Sequence, residues 1–379
     1  MIYLDYSATT PVSYEVWDTI SKVTKDFIGN ANSIHSLGLK SKELLDNATK
    51  QIADICGFNV KELTLTSGAT ESNNLAIIGA ALANQKRGKH IIVSKLEHPS
   101  VYAICDYLKD IGFEISYVKN NQDGLIDFDH LKKLIRHDTI LVSICAVNSE
   151  VGIRQPLKMI RQIIKIENLK TIFHSDITQA IGKVSINFHD VDLASMSAHK
   201  IFGPKGIGFL YKSSSVNIMP ILYGSGKSNN LKPGTPPLPL IAGLSKAIRL
   251  YNTDLEKKER FIKLLNDKIV KHLEKYPDIL INSTKYSIPH ILNISLMGIQ
   301  PETFVHAMEA REVFFSTNTA CSSGNLSTSV MAIYNDLTRA KHTIRISLSH
   351  VTTTDEINKF LVIFDEEYQR LKGVKQWKN

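Results

Sequence analysis

A lysine stands immediately after an apolar run in the stretch VDLASMSAHK, residues 191–200. A short apolar run of this kind is typical of a buried β-strand, so Lys200 is expected at a strand end. Partial burial lowers the pKa of a lysine amine, and the neutral amine is a nucleophile that can bond to an aldehyde. Lys200 is therefore a candidate for the covalent anchor of an aldehyde-bearing cofactor.

Polar side chains follow four other apolar runs in the same way, after LTLT, HIIVS, TILVSICAV and TIFHS. Singly, each has an ordinary structural explanation, such as a helix cap or a turn. Ligands of open α/β sheets bind outside the carboxyl ends of the strands, so these side chains are expected to meet there. They are Thr70, which follows the turn Gly68-Ala69, then His98, then Asn148, then Asp176 and Gln179.

This combination of groups matches what pyridoxal phosphate requires. A glycine turn that opens a helix presents N–H groups to a phosphate, and a threonine hydroxyl adds to them. A carboxylate can pair with the ring nitrogen and keep the ring an electron sink, and a flat side chain can cover the ring. We therefore predict a pyridoxal phosphate site built around Lys200.

The elements that position these groups are predicted from the hydrophobic periodicity. Strand-like apolar runs alternate with helical patterns, which indicates an α/β fold with a mostly parallel sheet covered by helices. A Gly- and Pro-rich stretch at 224–240 marks a crossing between domains, and the later elements suggest a small α+β domain. Helices are expected over 36–56, 69–85, 99–111, 127–136, 156–168, about 240–275, 301–311 and 354–371.

Composition and charge exclude several classes of protein. The 379 residues carry a formal net charge of +8, but the basic residues are scattered apart from a loose excess near the C-terminus, which favours acidic protein partners over nucleic acid. No apolar run approaches the roughly 20 residues that span a bilayer. Met1 is followed by no basic and apolar leader. We therefore expect a cytoplasmic protein that binds no membrane.

One of the four cysteines stands apart from the others. Cys56, Cys105 and Cys145 lie in apolar periodic segments and are expected in the core, and the spacing of the cysteines predicts no zinc site. Cys321 lies in the small, polar stretch TNTACSSGN, residues 317–325. Its thiol is therefore expected to be accessible.

Eight motifs resemble, in order, those of the cysteine desulfurases, pyridoxal phosphate enzymes of fold type I in the class V aminotransferase group. The resemblance runs from about residue 2 to residue 370. It implies an N-terminal segment (1–15) packed on the small domain, a large cofactor-binding domain (16–250) with a seven-stranded type of sheet, and a small α+β domain (251–379) carrying a catalytic cysteine loop. The motifs are YLDYSATTP (3–11), TSGATES (66–72), SKLEHPSV (94–101), VNSEVG (147–152), HSDITQA (174–180), SAHKIFGPKGIG (197–208), STNTACSSG (316–324) and IRISL (344–348).

The resemblance also implies a role for each site residue. Lys200 would anchor the cofactor, Asp176 would bind its ring nitrogen, Gln179 its ring hydroxyl, and His98 would stack on the ring. Cys321 would accept the sulfur of L-cysteine, with His98 a candidate base for its thiol. The phosphate would be bound by Ala69, Thr70, Ser197 and His199, with Thr235 from the second subunit of a homodimer, and the substrate carboxylate by Asn148 and Arg345.

The activity implied is conversion of L-cysteine to L-alanine with a persulfide on Cys321. The sulfur would pass to an acceptor protein, such as an iron–sulfur scaffold or a thiolation enzyme. A class V aminotransferase, a selenocysteine lyase and a non-enzymatic scaffold are the alternatives. The sequence departs from the family pattern where Lys232 and Pro233 replace Arg and Ser, and where the cysteine segment is poor in glycine.

Overall fold

The computed structural model of the chain describes residues 1–224, 231–317 and 326–376. The strands are β1 (Ile2–Tyr3), β2 (Leu63–Thr66), β3 (His90–Ser94), β4 (Glu114–Val118), β5 (Thr139–Ser143), β6 (Ile172–Asp176), β7 (Leu193–Ser197), β8 (Gly208–Lys212), β9 (Ile279–Ile281), β10 (Ile291–Leu296), β11 (Val313–Phe314) and β12 (Thr343–Ser347). The helices are α1 (Tyr14–Asp26), α2 (Ser36–Cys56), α3 (Ala69–Asn84), α4 (Pro99–Asp110), α5 (Phe128–Leu134), α6 (Leu157–Glu167), α7 (Leu238–Tyr251), α8 (Leu255–Leu273), α9 (Pro301–Glu309), α10 (Thr328–Tyr334), α11 (Leu337–Lys341) and α12 (Thr354–Gln376).

Seven strands of the described residues form one sheet in the order β2-β8-β7-β6-β5-β3-β4. Strand β8 runs antiparallel to both of its neighbours, and the other pairs are parallel. The connection from β7 to β8 spans only residues 198–207, too short for the crossover helix that a parallel partner needs. The predicted α/β fold with a mostly parallel seven-stranded sheet is confirmed.

Helices cover both faces of this sheet, as its buried strands require. Neighbouring residues of one strand, such as Leu141 and Val142 in β5, belong to different apolar clusters because successive side chains point to opposite faces. One cluster takes side chains from α1, α2, α6 and α7, and the other from α3 and α4. The sheet is thus held between two helical layers, with its carboxyl edge left open.

The C-terminal part of the chain forms a second, smaller core. The strands of a three-stranded antiparallel sheet, ordered β12-β10-β9, pack with side chains of α8, α9 and α12. The N-terminal segment joins this core, since β1 pairs in parallel with β11 and Asp5 forms a bridge with Ser347. The predicted domain limits at residues 15 and 250 remain predictions.

One predicted helix is wrong in its extent. The long helix expected over about 240–275 is two helices, α7 and α8, separated by the sequence Asn252-Thr253-Asp254. Asp254 has a φ of 52° in the left-handed region, which no continuous helix permits. Asn, Thr and Asp side chains compete with helical hydrogen bonds and favour helix ends, so this run of three was the missed signal.

Across the described ranges, the structure contains no helix with the length and apolar character needed to cross a membrane. The predicted cytoplasmic location remains a prediction.

Candidate active site

A cavity of about 1250 Å³, including its open mouth, lies at the carboxyl edge of the large sheet. The segments after β2, β3, β5, β6 and β7 all contribute to it, as the strand-end argument predicts. Nine of the side chains predicted for the site line this cavity: Ala69, Thr70, His98, Asp176, Gln179, Ser197, His199, Lys200 and Arg345.

The start of α3 forms an anion-binding corner of the cavity. Gly68 precedes the helix with a φ of 151° and has no side chain that could cap it. The N–H groups of the first turn are therefore left open to a ligand beside Thr70. The backbone here is close to Ser197, since a Cβ on Gly68 would lie 3.3 Å from the Ser197 hydroxyl. N–H groups and hydroxyls at one helix start suit a phosphate.

His199 and Lys205 extend this corner with different charge states. Burial, reinforced by the nearby lysines Lys200, Lys205 and Lys183, lowers the pKa of His199 to about 4, so its ring is neutral at pH 7. Its Nδ1 lies 3.1 Å from the Thr9 hydroxyl. Positive charge at this corner therefore comes from lysine side chains rather than from the imidazole.

Lys200 lies in the short turn that follows β7, partly buried in the cavity wall. Its Nζ donates hydrogen bonds to the backbone carbonyl of Ser7 at 2.6 Å and to that of Ala8 at 2.7 Å. Two carbonyls from the N-terminal segment therefore orient the amine that the sequence analysis singled out.

Asp176 ends β6 with a buried carboxylate that is held on both oxygens. Oδ2 accepts a hydrogen bond from Asn73 Nδ2 at 2.8 Å, and Oδ1 accepts one from the N–H of Thr178 at 2.9 Å. Both donors are neutral groups, so these two partners bring no positive charge to the carboxylate. Its position in the cavity suits a cationic ring nitrogen.

His98 caps α4 through its ring. Nδ1 accepts a hydrogen bond from the backbone N–H of Ser100 at 3.2 Å, and it lies 2.9 Å from the Ser100 hydroxyl. Burial lowers the pKa of His98; Asp176 raises it and Lys200 lowers it further, with a net decrease. His98 is thus a neutral imidazole held rigidly at the cavity wall.

Sequence reasoning missed Lys183, which lies directly behind Gln179. Lys183 Nζ donates to Gln179 Oε1 at 2.5 Å, and Gln179 Nε2 donates to the carbonyl of Ser7 at 2.9 Å. Burial, with the charges of Lys200 and Arg345, lowers the pKa of Lys183 to about 7. The available signal was a lysine inside the otherwise apolar AIGKV, residues 180–184.

Arg345 lies in the middle of β12 with only 1% of its surface exposed. Nη2 pairs with Asp5 Oδ1 at 2.9 Å, and Nη1 donates to the carbonyl of Ser149 at 3.0 Å. Within the described ranges its buried Nε has no hydrogen-bond partner. A guanidinium with unused donor capacity at the cavity wall suits a planar carboxylate.

Two predicted residues lie outside the lining of the cavity, and a third falls outside the residues that the structure describes. Asn148 does not line it: Nδ2 donates to Leu96 O and Ser329 Oγ, and Oδ1 accepts from the N–H groups of Glu150 and Val151, so both ends of the amide are used. Thr235 is exposed and lies outside the lining. Cys321 lies outside the described residues. The roles expected for these three stay predictions.

An ion pair at the rim involves one of the sequence's departures from the family pattern. Lys232 Nζ lies 2.5 Å from Glu71 Oε1, and Glu71 Oε2 accepts a hydrogen bond from the N–H of Ser67 at 2.5 Å. Burial alone would raise the pKa of Glu71, but the hydrogen bonds from Lys232 and Ser67 give it a net decrease. Lys232 thus compensates an acidic charge that adjoins the anion-binding corner.

The donor set of the cavity fits pyridoxal phosphate. The helix start with its hydroxyls and lysines suits the phosphate, the doubly held Asp176 suits a ring nitrogen, and the amine of Lys200 lies in the same cavity. The partly unsatisfied guanidinium of Arg345 remains for a substrate carboxylate.

Known proteins resemble this chain over its whole length. Residues 2–360 match the model of the class-V aminotransferase family. The cysteine desulfurase IscS of Dictyoglomus turgidum is 36% identical, with 100% of this chain and 97% of that protein covered. A solved NifS-like protein superposes with a TM-score of 0.93 at 32% identity, covering 98% of this chain and 100% of its own. A NifS-like protein from Rickettsia africae gives a TM-score of 0.87 at 31% identity, covering 97% and 99%.

Proposed function

The chain belongs to the class-V aminotransferase family and, within it, to the cysteine desulfurases, and on this basis we propose that it binds pyridoxal phosphate and converts L-cysteine to L-alanine. The observation that carries the proposal is the convergence of Lys200, Asp176 and Arg345 with an anion-binding helix start in one cavity. Each of these groups answers one chemical requirement of that reaction.

The lining of the cavity supports an assignment of the residues that would hold the cofactor. The start of α3 with Thr70 and Ser197 would bind the phosphate, Asp176 the ring nitrogen, and Lys200 the aldehyde group, since all of them line the cavity. Gln179 offers its amide N–H to the ring hydroxyl, and His98 provides the flat covering side chain. When bound, the cofactor supplies an electron sink for the bonds at the substrate Cα.

Arg345 orients the substrate. Its guanidinium binds the α-carboxylate as a planar fork, and its existing partners, Asp5 and Ser149, keep it fixed in the wall before the substrate arrives. Once the substrate amine has displaced Lys200 from the aldehyde carbon, the freed amine of Lys200 would remove the Cα proton, because it is the basic group that the carbonyls of Ser7 and Ala8 orient in this cavity.

Cys321 accepts the sulfur. Its thiolate attacks the substrate sulfur, so that an S–S bond forms as the Cβ–S bond breaks. The carbon skeleton takes up one proton at Cβ, regains one at Cα and leaves as L-alanine. Both flanks of the segment that contains Cys321 lie near the site. Ser316 forms a bridge with Arg345, and Ser327 donates a hydrogen bond to Glu150.

The persulfide then delivers its sulfur to an acceptor protein, such as an iron–sulfur scaffold or a thiolation enzyme. We also propose a homodimer in which Thr235 reaches the phosphate of the other subunit, since Thr235 is exposed in the single chain. An aminotransferase or selenocysteine lyase is not favoured, because the full-length relatives at 36–38% identity include many named cysteine desulfurases.

The test is a product assay with L-cysteine, pyridoxal phosphate and a thiol reductant, in which alanine and sulfide are quantified. Wild type is expected to release alanine and sulfide in equal amounts. Cys56→Ala changes a buried core thiol and is the control, with the same result expected. Cys321→Ala is expected to bind the cofactor but release no sulfide, and Lys200→Ala to give neither product. Sulfide at the wild-type rate from Cys321→Ala, or a keto acid in place of alanine, would overturn the proposal.

A further inference from the structure

A chain of hydrogen bonds connects the carboxylate of Asp176 to the ring of His98. Asn73 Nδ2 donates to Asp176 Oδ2 at 2.8 Å and to Ser100 Oγ at 3.1 Å. Ser100 Oγ in turn lies 2.9 Å from His98 Nδ1. The two ends are residues of the proposed site, whereas Asn73 and Ser100 do not line the cavity.

The direction of the hydrogen bond between Asn73 and Asp176 is fixed by the charge of the carboxylate. The Asp176 carboxylate can only accept, and its other oxygen already accepts from the N–H of Thr178. Asn73 is fully buried and must therefore turn its NH₂ group toward Asp176, where its two hydrogens serve Asp176 and Ser100. The cost of this orientation is visible, because Asn73 Oδ1 is buried with no hydrogen-bond partner among the described residues.

The direction of the hydrogen bond between Ser100 and His98 follows from the orientation of Asn73. Ser100 Oγ accepts a hydrogen from Asn73, so its own hydroxyl hydrogen is available to His98 Nδ1. The backbone N–H of Ser100, which can only donate, points to the same nitrogen at 3.2 Å. Nδ1 thus receives two donors, and an imidazole nitrogen that accepts hydrogen bonds carries no proton.

We propose that Asn73 and Ser100 are positioning residues that keep the proton of neutral His98 on Nε2, under the direction of the Asp176 charge. His98 then presents an N–H donor to the cavity it lines. In this tautomer Nε2 cannot take the proton of a thiol, and protonation of Nδ1 requires both hydrogen bonds from Ser100 to break. The base for Cys321 is therefore a group other than neutral His98. The assignment of the His98 tautomer concerns the chain itself, and only the statement about Cys321 rests on the proposed function.

Charged groups around His98 also influence its pKa. Asp176 favours protonation of the ring, whereas burial and Lys200 oppose it. Glu97, the preceding residue, is buried near Asp176, and burial raises its pKa to about 8, so it adds little negative charge at pH 7. Loss of the Ser100 hydroxyl removes a donor that stabilises only the neutral ring, so the pKa of His98 is expected to rise by about one unit, a tenfold change.

The experiment is ¹⁵N NMR of histidine-labelled protein carrying bound pyridoxal phosphate, with the His98 signals assigned from His98→Gln. Wild type is expected to show an unprotonated Nδ1 and a protonated Nε2. Ser100→Ala is expected to raise the pKa of His98 by about one unit, which is a tenfold change in the protonation equilibrium. Asn73→Leu is expected to raise this pKa less, and Ser100→Thr to keep it at the wild-type value. Ser116→Ala removes a hydroxyl that contacts His90 and is the matched control, with unchanged His98 signals.

Two results would overturn the inference. A proton on Nδ1 in the wild-type protein would show that the direction of the chain is reversed. An unchanged pKa of His98 in both Ser100→Ala and Asn73→Leu would show that these residues do not control the ring. Both readouts are independent of turnover, so an inactive enzyme would not obscure them.

Discussion

Lys183 makes the stability of the protein depend on pH in a predictable way. Its ammonium group is buried, with Gln179 Oε1 as its hydrogen-bond acceptor at 2.5 Å and with Lys200 and Arg345 as like charges. These surroundings lower the pKa of Lys183 from 10.5 to about 7. At about 1.4 kcal/mol per pKa unit, holding the charged form in the folded protein costs up to about 5 kcal/mol.

The sign follows from proton binding. The folded protein releases the Lys183 proton near pH 7, whereas the unfolded chain keeps it until about pH 10.5. In this window the unfolded state binds more protons, so stability rises with pH. Below pH 7 both states are protonated and the full cost is present. Between about pH 7 and 9.5 the contribution of Lys183 should improve by roughly 3 kcal/mol.

The assay compares wild type with Lys183→Met in urea titrations at several pH values. The difference in free energy of unfolding between the two cancels the titration of every other group that the substitution leaves unchanged. Wild type should gain roughly 3 kcal/mol on the variant between about pH 7 and 9.5, with a pH-independent offset from the unpaired Gln179 Oε1. Lys257→Met, at an exposed position of α8, is the control and should show no such slope. A difference that stays constant with pH would refute the reasoning.

Three further substitutions test other parts of the account. Lys232→Met leaves Glu71 uncompensated beside the anion-binding corner and should weaken pyridoxal phosphate binding about fivefold, with Lys232→Arg retaining it; equal dissociation constants in a spectroscopic titration would argue against this role. Asp5→Ala removes the carboxylate that pairs with the buried guanidinium of Arg345 and should cost about 3 kcal/mol in urea unfolding. Asp18→Ala, whose partner Lys22 is exposed, should cost clearly less, and similar losses would contradict the argument. Gly208→Ala places a Cβ 2.2 Å from the Met196 carbonyl and should cost about 1–3 kcal/mol, whereas Gly373→Ala, with open space around it, should cost little.

The strand-end side chains could be predicted because the geometry of a parallel sheet is simple. Once Asp176 and Lys200 are assigned to the ends of neighbouring strands, the shared edge brings them together without knowledge of any loop. The fold followed from the same alternation of strands and helices. The signals were the local hydrophobic periodicity and the order of strands and helices along the chain, and a single sequence contains both.

The contacts that complete the site are of a different kind. The carbonyls of Ser7 and Ala8 reach Lys200 across more than 190 residues, and a backbone carbonyl has no sequence signature. Asp5 meets Arg345 only because the N-terminal segment runs beside β12, where Asp5 forms a bridge with Ser347. Such pairings are set by packing between distant segments, which periodicity does not encode.

Lys183 and Asn73 show a second limit. Each is a polar residue whose role depends on its burial. The hydrophobic pattern predicts which apolar residues are buried, but it does not predict the burial of a single polar residue among them. Asn148 shows the converse, since its place after β5 suggested a ligand contact, while its amide is used by Leu96 and Ser329 on one side and by its own loop on the other. Hydrogen-bond satisfaction decides between these outcomes, and it requires the three-dimensional partners.

The most direct test of the central claim is the fate of the sulfur atom. Protein loaded with pyridoxal phosphate would be exposed to L-cysteine without reductant, alkylated and digested, and the cysteine peptides analysed by mass spectrometry. The account predicts one added sulfur atom on the peptide that contains Cys321, none on those with Cys56, Cys105 or Cys145, and alanine in matching amount. Alanine without added sulfur on Cys321, or the same addition in Lys200→Ala, would contradict it.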